Sequence, residues 1–382
     1  MRYPRKYSNL QRNTAMKVST FSGFLQEKIE FNFKEQLSKT ALELAEIFDM
    51  LELYRFLPHP ASTGRPPISR LSLLKAFFVK SALNYTENKK LRKMLHGNDE
   101  LRKLCGWTES HDVPSESTFS RSFAEFAQLH IGEHIHEHIV STAFSDRLIL
   151  HVSRDASALP AREKAVKKDK KPKVRGKRGR PKKGTPPKKK KLRRLEKQLT
   201  QDVFEMMSEL PTECNWGSKK NSKGNLEHWR GYKVHADFTE EGVPVSFCVT
   251  SASVHDSQVA IPLIHMSSDR VTYLYELMDA GYDMKEIKTV AGNHNHAPII
   301  RPNNRRSKNK RTLDPASARR YRVRATAERG FSELKDNYGI SASRLRGHEK
   351  ICTHVSFAMI ILTVRKLRAY GLLSCSEKQK TA

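Results

Sequence analysis

The alternation of apolar and polar residues changes its period once along the chain, near residue 148. Before that point, apolar residues recur at spacings of three and four in 37–57 and 68–83, which predicts two amphipathic helices. Ser115 is a suitable N-cap for another short helix over 115–128. The first part of the chain is therefore predicted to be helical.

After residue 148 the pattern favours strands. Residues 148–159, LILHVSRDASAL, are typical of a strand that ends in a carboxylate, Asp155. Strands are also predicted over 231–239 and 243–252, with Glu241 and Gly242 as the hairpin turn between them. The elements predicted after this hairpin are a helix in 255–266, a strand in 274–281 ending near Asp279, a helix in 282–292, a strand in 296–303, a helix from Asp314-Pro315 to about 338 and a helix over 349–371. This order predicts an α/β domain, a mixed sheet with helices packed on it.

The most apolar run, 355–364, has ten residues and is followed by Arg365, whereas a membrane span takes about 20 residues. It is predicted to be a buried helix. The five cysteines form no CxxC pair, and His255, His294 and His296 lack a zinc-ligand arrangement. With no apolar stretch at the N-terminus, we expect a cytoplasmic protein with reduced thiols that is not bound to a membrane.

The charge narrows the class of partner. The net charge is +29, which predicts a polyanionic partner, usually nucleic acid, with a basic structural protein as the alternative. Residues 162–194 carry 19 lysines and arginines against two acids, and they contain hardly any large apolar side chain. The segment 162–199 is therefore predicted to be a basic, largely disordered insertion.

Within this insertion, KRGRPKKG (177–184) is similar to an AT-hook, which lies in the minor groove of A·T-rich DNA. Arg178 and Arg180 would then contact DNA. A nonspecific polybasic tether with salt-sensitive affinity for phosphates explains the same residues equally well.

One face of the helix predicted after Asp314 concentrates charged and aromatic residues. On a helical wheel an arc of about 60° contains four of them, Tyr321, Arg324, Glu328 and Lys335. Arg324 and Glu328 are four residues apart, so a solvated face with an ion pair is one interpretation.

Two carboxylates elsewhere favour a second interpretation. Asp155 and Asp279 each end a predicted strand, and sites in α/β sheets form at strand ends. With Glu328 they supply three oxygen ligands of the kind that Mg²⁺ prefers, with Mn²⁺ as a substitute. Such a set, flanked by cations, is suited to phosphoryl transfer on DNA.

Three other aspartates compete for these roles. Asp283 follows Asp279 by four residues, but it opens the next helix, where capping is the ordinary role. Asp256 also stands at a helix start, and we expect it to be a cap, although His255 and Asp256 could lie near the site. Asp237 lies within a strand and is a weaker candidate.

The spacing Y-x2-R-x3-E-x6-K, formed by Tyr321, Arg324, Glu328 and Lys335, resembles the glutamate-region signature of DDE transposases from bacterial insertion sequences. Further segments resemble the same group, and together they extend from about residue 60 to 370. They are GRPPISRLSLLKAFFVKSAL, VPSESTFSR, GYKVHADFTEEGVPVSFCVTSASVHDS and DAGYD.

The resemblance implies an RNase H-like catalytic domain in which Asp155, Asp279 and Glu328 hold Mg²⁺, while Tyr321, Arg324 and Lys335 contact DNA near the cut. It also implies cleavage at the inverted repeats of the element, strand transfer into target DNA, and a dimer or larger synaptic assembly at the nucleoid. The expected regions are a flexible N-terminus (1–32), a helical DNA-binding domain (33–146), a catalytic domain (147–372) and a flexible tail (373–382).

Other DNA contacts are predicted outside the acid site (Asp155, Asp279 and Glu328). Arg121 would lie on the exposed side of a recognition helix, although a purely structural helix is as consistent with the sequence. Lys219 and Lys220 belong to a segment predicted to be a basic loop, 214–225. The three tryptophans, Trp107, Trp216 and Trp229, are expected to anchor packing. A metal-dependent nuclease that does not join DNA, and a catalytically silent DNA-binding regulator, are the alternative functions.

Overall fold

A computed structural model describes residues 37–58, 68–166, 192–220, 223–304 and 309–372. The first part of the chain is helical, as predicted. Ser38, Ser69 and Ser115 begin three of its helices by accepting a bond from a backbone N–H of the first turn. The helices are α1 (Lys39–Leu51), α2 (Arg70–Ala82), α3 (Asn88–Gly97), α4 (Asp99–Leu104), α5 (Glu116–Gln128) and α6 (Ile131–Ala143), with short 3-10 helices at Leu53–Phe56 and Ser110–Asp112.

The second part is a mixed sheet with helices on both faces, which confirms the α/β prediction. Its strands are β1 (Leu148–Pro160), β2 (Asn215–Lys220), β3 (Leu226–Thr239), β4 (Pro244–Ser251), β5 (Thr272–Met278) and β6 (Ala297–Ile300). Its helices are α7 (Arg194–Gln198), α8 (Val203–Ser208), α9 (Ser257–Arg270), α10 (Lys285–Asn293), α11 (Pro315–Tyr321), α12 (Ala325–Asn337) and α13 (His348–Ala369), and 3-10 turns lie at Ala280–Tyr282, Arg322–Arg324 and Ile340–Ala342.

Strand β1 lies at the centre of the sheet. It pairs antiparallel with β3 on one side and parallel with β5 on the other, and β6 continues the parallel side. Strand β3 is long enough that β2 pairs with its first half and β4 with its second half along the same edge. Gly242, at φ +83°, closes the β3–β4 hairpin in the left-handed conformation that glycine adopts without strain. The predicted hairpin is therefore confirmed.

The two faces of the sheet differ in what they bury. Helices α9 and α10 cover one face with an apolar cluster that includes Ile261, Met278 and Ile287. Helices α12 and α13 cover the other face, where Phe331 packs edge-on against Phe238 of β3, with ring centroids 5.2 Å apart. Glu328 of α12 is therefore on the same side of the sheet as the even-numbered residues of β3.

Helix α13 is the buried helix predicted from the apolar run, but it packs mainly among the N-terminal helices. Phe357 lies 4.9 Å from Phe78 and 6.1 Å from Phe123, measured between ring centroids. One continuous apolar cluster accordingly joins α1–α6, α13 and the sheet. Within the described residues, no helix combines the length and apolar character needed to span a membrane.

The structure differs from the sequence expectations in four details. Strand β1 continues five residues past Asp155 instead of ending there. Part of the predicted basic loop is strand β2, because residues 215–220 pair with β3. The long helix predicted after Asp314 is divided by the 3-10 turn at Arg322–Arg324. The end of the predicted insertion is helix α7, in which Leu195 is buried.

Candidate active site

The acid site is organised by the pairing of β1 with β5. These parallel strands place Ser153 opposite Leu277, and the same register extended by two residues places Asp155 beside Asp279. Neighbouring strands lie about 4.8 Å apart, and residues two apart on a strand point to the same face. The two aspartates thus lie next to each other although 124 positions separate them.

Glu328 reaches this position from α12. Arg324 connects it to β1, since its Nη1 lies 2.7 Å from Glu328 Oε1 and its Nη2 lies 3.0 Å from Asp155 Oδ2. The close approach of α12 to the sheet depends on Gly330, where a Cβ atom would lie 2.5 Å from the ring of Phe238. One small residue therefore sets the distance between the glutamate helix and β3.

Electrostatics indicate that the three carboxylates act on one another. Burial raises the pKa of Asp155 to about 6, the Arg324 cation lowers it, and the charges of Asp279 and Glu328 raise it further. The side chain of Asp155 is 21% exposed and that of Glu328 is 61% exposed. Asp155 is thus the shielded member of the set and Glu328 the member open to solvent.

The remaining residues of the predicted signature surround the acids. Burial raises the pKa of the Tyr321 phenol, and the charges of Asp279 and Asp155 raise it further. Burial lowers the pKa of Lys335, and so does the nearby Lys219 cation, whereas Asp155 raises it. Tyr321 and Lys335 therefore lie within electrostatic reach of the acid site, and Lys219 lies near Lys335.

A backbone N–H and two cationic side chains hold Asp283, the second aspartate of the DAGYD segment. Asp283 accepts bonds from the Asn303 N–H at 3.0 Å, from Lys288 Nζ at 2.6 Å and from Arg311 Nη2 at 3.0 Å. These partners outweigh the effect of burial and lower its pKa. Asp279 accepts a bond from the Gly281 N–H at 2.8 Å. Asp283 is thus engaged in a structural network, whereas Asp279 faces Asp155.

The capping role expected for Asp256 is wrong, and Asp237, the weaker candidate for the site, lies away from the three carboxylates. Asp256 precedes α9, but its side chain makes no capping bond and instead lies 2.8 Å from Lys233 Nζ. Asp237 is fully buried on the face opposite α12, where its two oxygens accept bonds from Arg154 at 2.8 and 2.6 Å. Neither residue joins the three carboxylates of the site.

Sequence reasoning missed the buried polar network behind the site. In addition to its two bonds to Asp237, Arg154 has its Nη1 atom 3.7 Å from Glu276 Oε2. Ser267 of α9 donates to Asp237 at 2.6 Å, and Tyr273 donates to Glu276 at 2.5 Å. Arg154 directly precedes Asp155 on β1, and Glu276 on β5 lies three positions before Asp279. This network therefore joins the two strands that position the aspartates. Opposite charges inside three apolar strands were the signal that could have revealed it.

The residues predicted to contact DNA outside the acid site lie on separate elements of the structure. Arg121 is exposed on α5, and Lys219 and Lys220 are exposed on β2. Trp107 is buried as expected and Trp229 is partly buried, but Trp216 is 56% exposed and does not anchor packing. Arg178 and Arg180, with the rest of the AT-hook-like segment, lie outside the described residues.

The donor chemistry of the site fits a divalent cation of the magnesium type. Three carboxylates supply hard oxygen ligands. The pKa of Asp155 is raised first by burial and, to a smaller extent, by the charges of Asp279 and Glu328, and a bound cation would favour its charged form. In the described part of the chain, no group of three or more histidine, cysteine, aspartate or glutamate side chains is arranged to hold a metal ion. The three carboxylates therefore fit a divalent cation in the chemistry of their oxygens and in their position near one another, and not in a formed ligand geometry.

Comparison with known families decides the interpretation. Residues 191–364 match the family described as transposase DDE domain, and residues 31–125 match a second family, described as transposase domain (DUF772). The chain belongs to the DDE-type transposases of insertion sequences. The first match contains Asp279 and Glu328, whereas Asp155 precedes it. A comparison with curated proteins gave no match. DDE transposases act on DNA and generally use divalent metal ions.

Proposed function

We propose that this transposase cuts DNA at the ends of its own element and joins the freed 3′ ends to target DNA, with Asp155, Asp279 and Glu328 as its metal ligands. The observation that carries the proposal is the arrangement of these acids. Asp155 and Asp279 are neighbours by strand register, and Arg324 lies in contact with both Asp155 and Glu328.

Each residue has a distinct role in the proposed reaction. The three carboxylates would hold Mg²⁺, or Mn²⁺ in its place, and the metal, when bound, would supply activation of the attacking oxygen and stabilisation of the leaving one. Arg324 orients the carboxylates of Asp155 and Glu328. Tyr321 and Lys335 contact the DNA backbone beside the scissile phosphate, where a phenol and an ammonium group both serve as donors.

The reaction has two in-line displacements at phosphorus. In the first, water attacks the phosphodiester at the element end, and the P–O3′ bond breaks to leave a 3′-hydroxyl. In the second, that hydroxyl attacks a phosphodiester of target DNA, forms a new P–O3′ bond and releases the 3′ oxygen of the target strand. Neither step needs a covalent intermediate with the protein.

We further propose that the helical region holds the inverted repeats, with Arg121 of α5 directed to DNA, and that Lys219 and Lys220 add contacts from β2. Two ends must be processed together, so the active form is a homodimer or a larger assembly at the nucleoid. The domain limits proposed from the sequence, 33–146 and 147–372, divide these roles between the two parts of the chain.

The test uses a plasmid that carries the DNA flanking the gene, incubated with purified protein in Mg²⁺ or in EDTA. Cuts at the inverted repeats that need metal and are lost in Glu328→Gln support the proposal, and a joined product completes it. Cuts without any joined product would identify a nuclease. Binding without cuts by the wild-type protein would identify a regulator and contradict the roles given to the three acids.

A further inference from the structure

A polar groove lies beyond the acid site, where the end of β1 faces the N-terminal helices. It has a volume of ≈ 400 Å³. The residues that line it and can contact an anion are Thr86, Lys90, Arg162, Ser341, Ser343 and Arg344. The one acid among the lining residues is Glu87, and it is neutralised by Arg344 at 3.1 Å and Lys90 at 4.0 Å. The groove is therefore a cationic surface with several hydroxyl donors.

The walls of the groove are fixed to each other. On one side, the Asn84 side chain donates to the Asp336 carbonyl at 2.8 Å, which ties the loop before α3 to the end of α12. Gly339 permits this contact, since a Cβ there would lie 2.4 Å from Asn84 Oδ1. The ion pair between Arg344 and Glu87 adds a second link. The groove is thus a preformed feature of the fold.

Arg162 is held in place by its neighbours. The Ala161 N–H donates to the Arg230 carbonyl at 2.9 Å. Glu163 accepts a bond from the Gly347 N–H at 3.2 Å and another from the Tyr232 hydroxyl. The residues on either side of Arg162 are therefore anchored to β3 and to the start of α13, while its own side chain is exposed. A cation on a fixed backbone is well suited to recognise a phosphate at a set position.

Helix α12 and strand β1 connect the groove to the acids. Strand β1 passes from Asp155 to Pro160 in five residues, about 17 Å at about 3.3 Å per residue. Helix α12 carries Glu328 near its start and Lys335 near its end, and the chain then continues to Ser341 and Arg344 at the groove. Lys335 thus lies between the acid site and the groove.

From this arrangement we propose that the groove binds the DNA backbone about five base pairs from the cut, at about 3.4 Å per base pair. Lys90 and Arg162 contact phosphates, and the hydroxyls of Thr86 and Ser341 add neutral donors. This inference rests on the proposed function for the position of the cut. Its role is to set the register of the duplex, since phosphate contacts position DNA without reading its sequence.

The test compares a groove variant, Lys90→Gln with Arg162→Gln, against a control variant, Lys197→Gln with Lys285→Gln. Both remove two positive charges, but the control residues lie on α7 and α10, on the opposite face of the sheet. Arg344 is left intact because it links the walls. Affinity for a 30-base-pair duplex is measured by fluorescence anisotropy across a series of salt concentrations.

Loss of two phosphate contacts makes the plot of log affinity against log salt shallower by about 1.8. We expect this change in the groove variant and a change of less than half that size in the control. Equal slopes for the groove variant and wild type would overturn the proposal. So would equal reductions in both variants, because these would reflect net charge alone.

A second measurement locates the contact on DNA. Arg162→Cys, placed in a Glu328→Gln background and labelled with an iron chelate, should cleave an end fragment about five base pairs from the site that wild type cuts. Labelled Glu328→Gln without the added cysteine is the control. Cleavage at more than about one helical turn from that site, about 10 base pairs, would overturn the placement.

The outcomes separate this proposal from the proposed function. Wild-type protein that cuts DNA, together with unchanged salt dependence in the groove variant, would remove the groove and leave the function. If the slope of log affinity against log salt becomes shallower in the groove variant but the wild-type protein never cuts DNA, the groove remains a DNA site and the proposed function is removed.

Discussion

The partly buried carboxylate of Asp155 lowers the stability of the folded state when it is charged. The pKa of its carboxyl is raised to about 6 from a model-peptide value of 3.8, because burial disfavours the charged form more than Arg324 favours it. The folded state therefore binds a proton more tightly than the unfolded state. Its contribution to stability is present in full below pH 3.8 and is lost as the pH rises through about 6.

We predict that Asp155→Asn is more stable than wild type at pH 8 by about 2–3 kcal/mol, with little difference near pH 4. Urea denaturation at both pH values, without divalent metal, measures it. Asp283→Asn is the control of opposite sign, because the pKa of Asp283 is lowered and its charge stabilises the fold above its unfolded pKa. A destabilised Asp155→Asn at pH 8 would show that the ion pair with Arg324 outweighs burial.

At the scale of elements, the site depends on how closely α12 approaches the sheet. Gly330 is a helical residue whose missing Cβ leaves room for the Phe238 ring, and Phe331 packs beside it. The local pattern predicted a helix here and placed Tyr321, Arg324 and Glu328 on one face. It did not predict the interhelical 3-10 turn or the tight contact, because both depend on packing against a distant strand.

Gly330→Ala should destabilise the protein by about 1–3 kcal/mol and slow DNA cutting, because the added methyl group moves α12 and Glu328 away from β3. The matched control is Gly292→Ala on α10, where a Cβ meets nothing within 4 Å. That control should stabilise the protein by about 0.5–1 kcal/mol. Thermal unfolding and cutting rates measure both. Equal behaviour of the two variants would contradict this account of α12.

The strands that carry the aspartates depend on a buried ion network. Arg154, Asp237 and Glu276 are each at most 1% exposed, and they belong to β1, β3 and β5. The sequence showed Asp237 in a strand but not its partner, because pairing between strands 83 positions apart leaves no local signal. For the same reason, the sequence predicts a loop where β2 lies, since its lysines and glycine are typical of loops and only pairing with β3 makes it a strand.

We predict that Arg154→Met lowers the free energy of unfolding by about 3–5 kcal/mol, since it leaves two buried carboxylates without their cation. Adding Asp237→Leu to this variant should restore part of the loss, because an apolar residue replaces an unpaired charge. A double-mutant cycle by urea denaturation measures the coupling. Additive losses would show that the two residues act independently.

The whole molecule is held together by a core that crosses the two regions inferred from the sequence. The boundary proposed at 146/147 lies between α6 and β1, where the period of the pattern changes. The sequence also predicted α13 as a buried helix. It could not show that Phe357 of α13 packs against Phe77, Phe78 and Phe123 of the N-terminal helices, because periodicity shows that a face is buried but not what covers it.

Removal of residues 1–146 should therefore prevent the remaining chain from folding cooperatively, since it exposes the apolar side of α13. The full chain should unfold in one transition. Circular dichroism and urea titration of both chains measure this. A soluble 147–382 fragment with its own sharp transition would contradict the shared core.

The proposed DNA cutting depends most on which carboxylates form the acid site. Single-turnover cutting of an end fragment in Mg²⁺ by Asp155→Asn, Asp279→Asn, Glu328→Gln and Asp283→Asn tests this directly. We predict that the first three variants lose cutting while binding DNA as wild type does, and that Asp283→Asn still cuts. Cutting by Asp279→Asn, together with its loss in Asp283→Asn, would contradict the site described for this transposase.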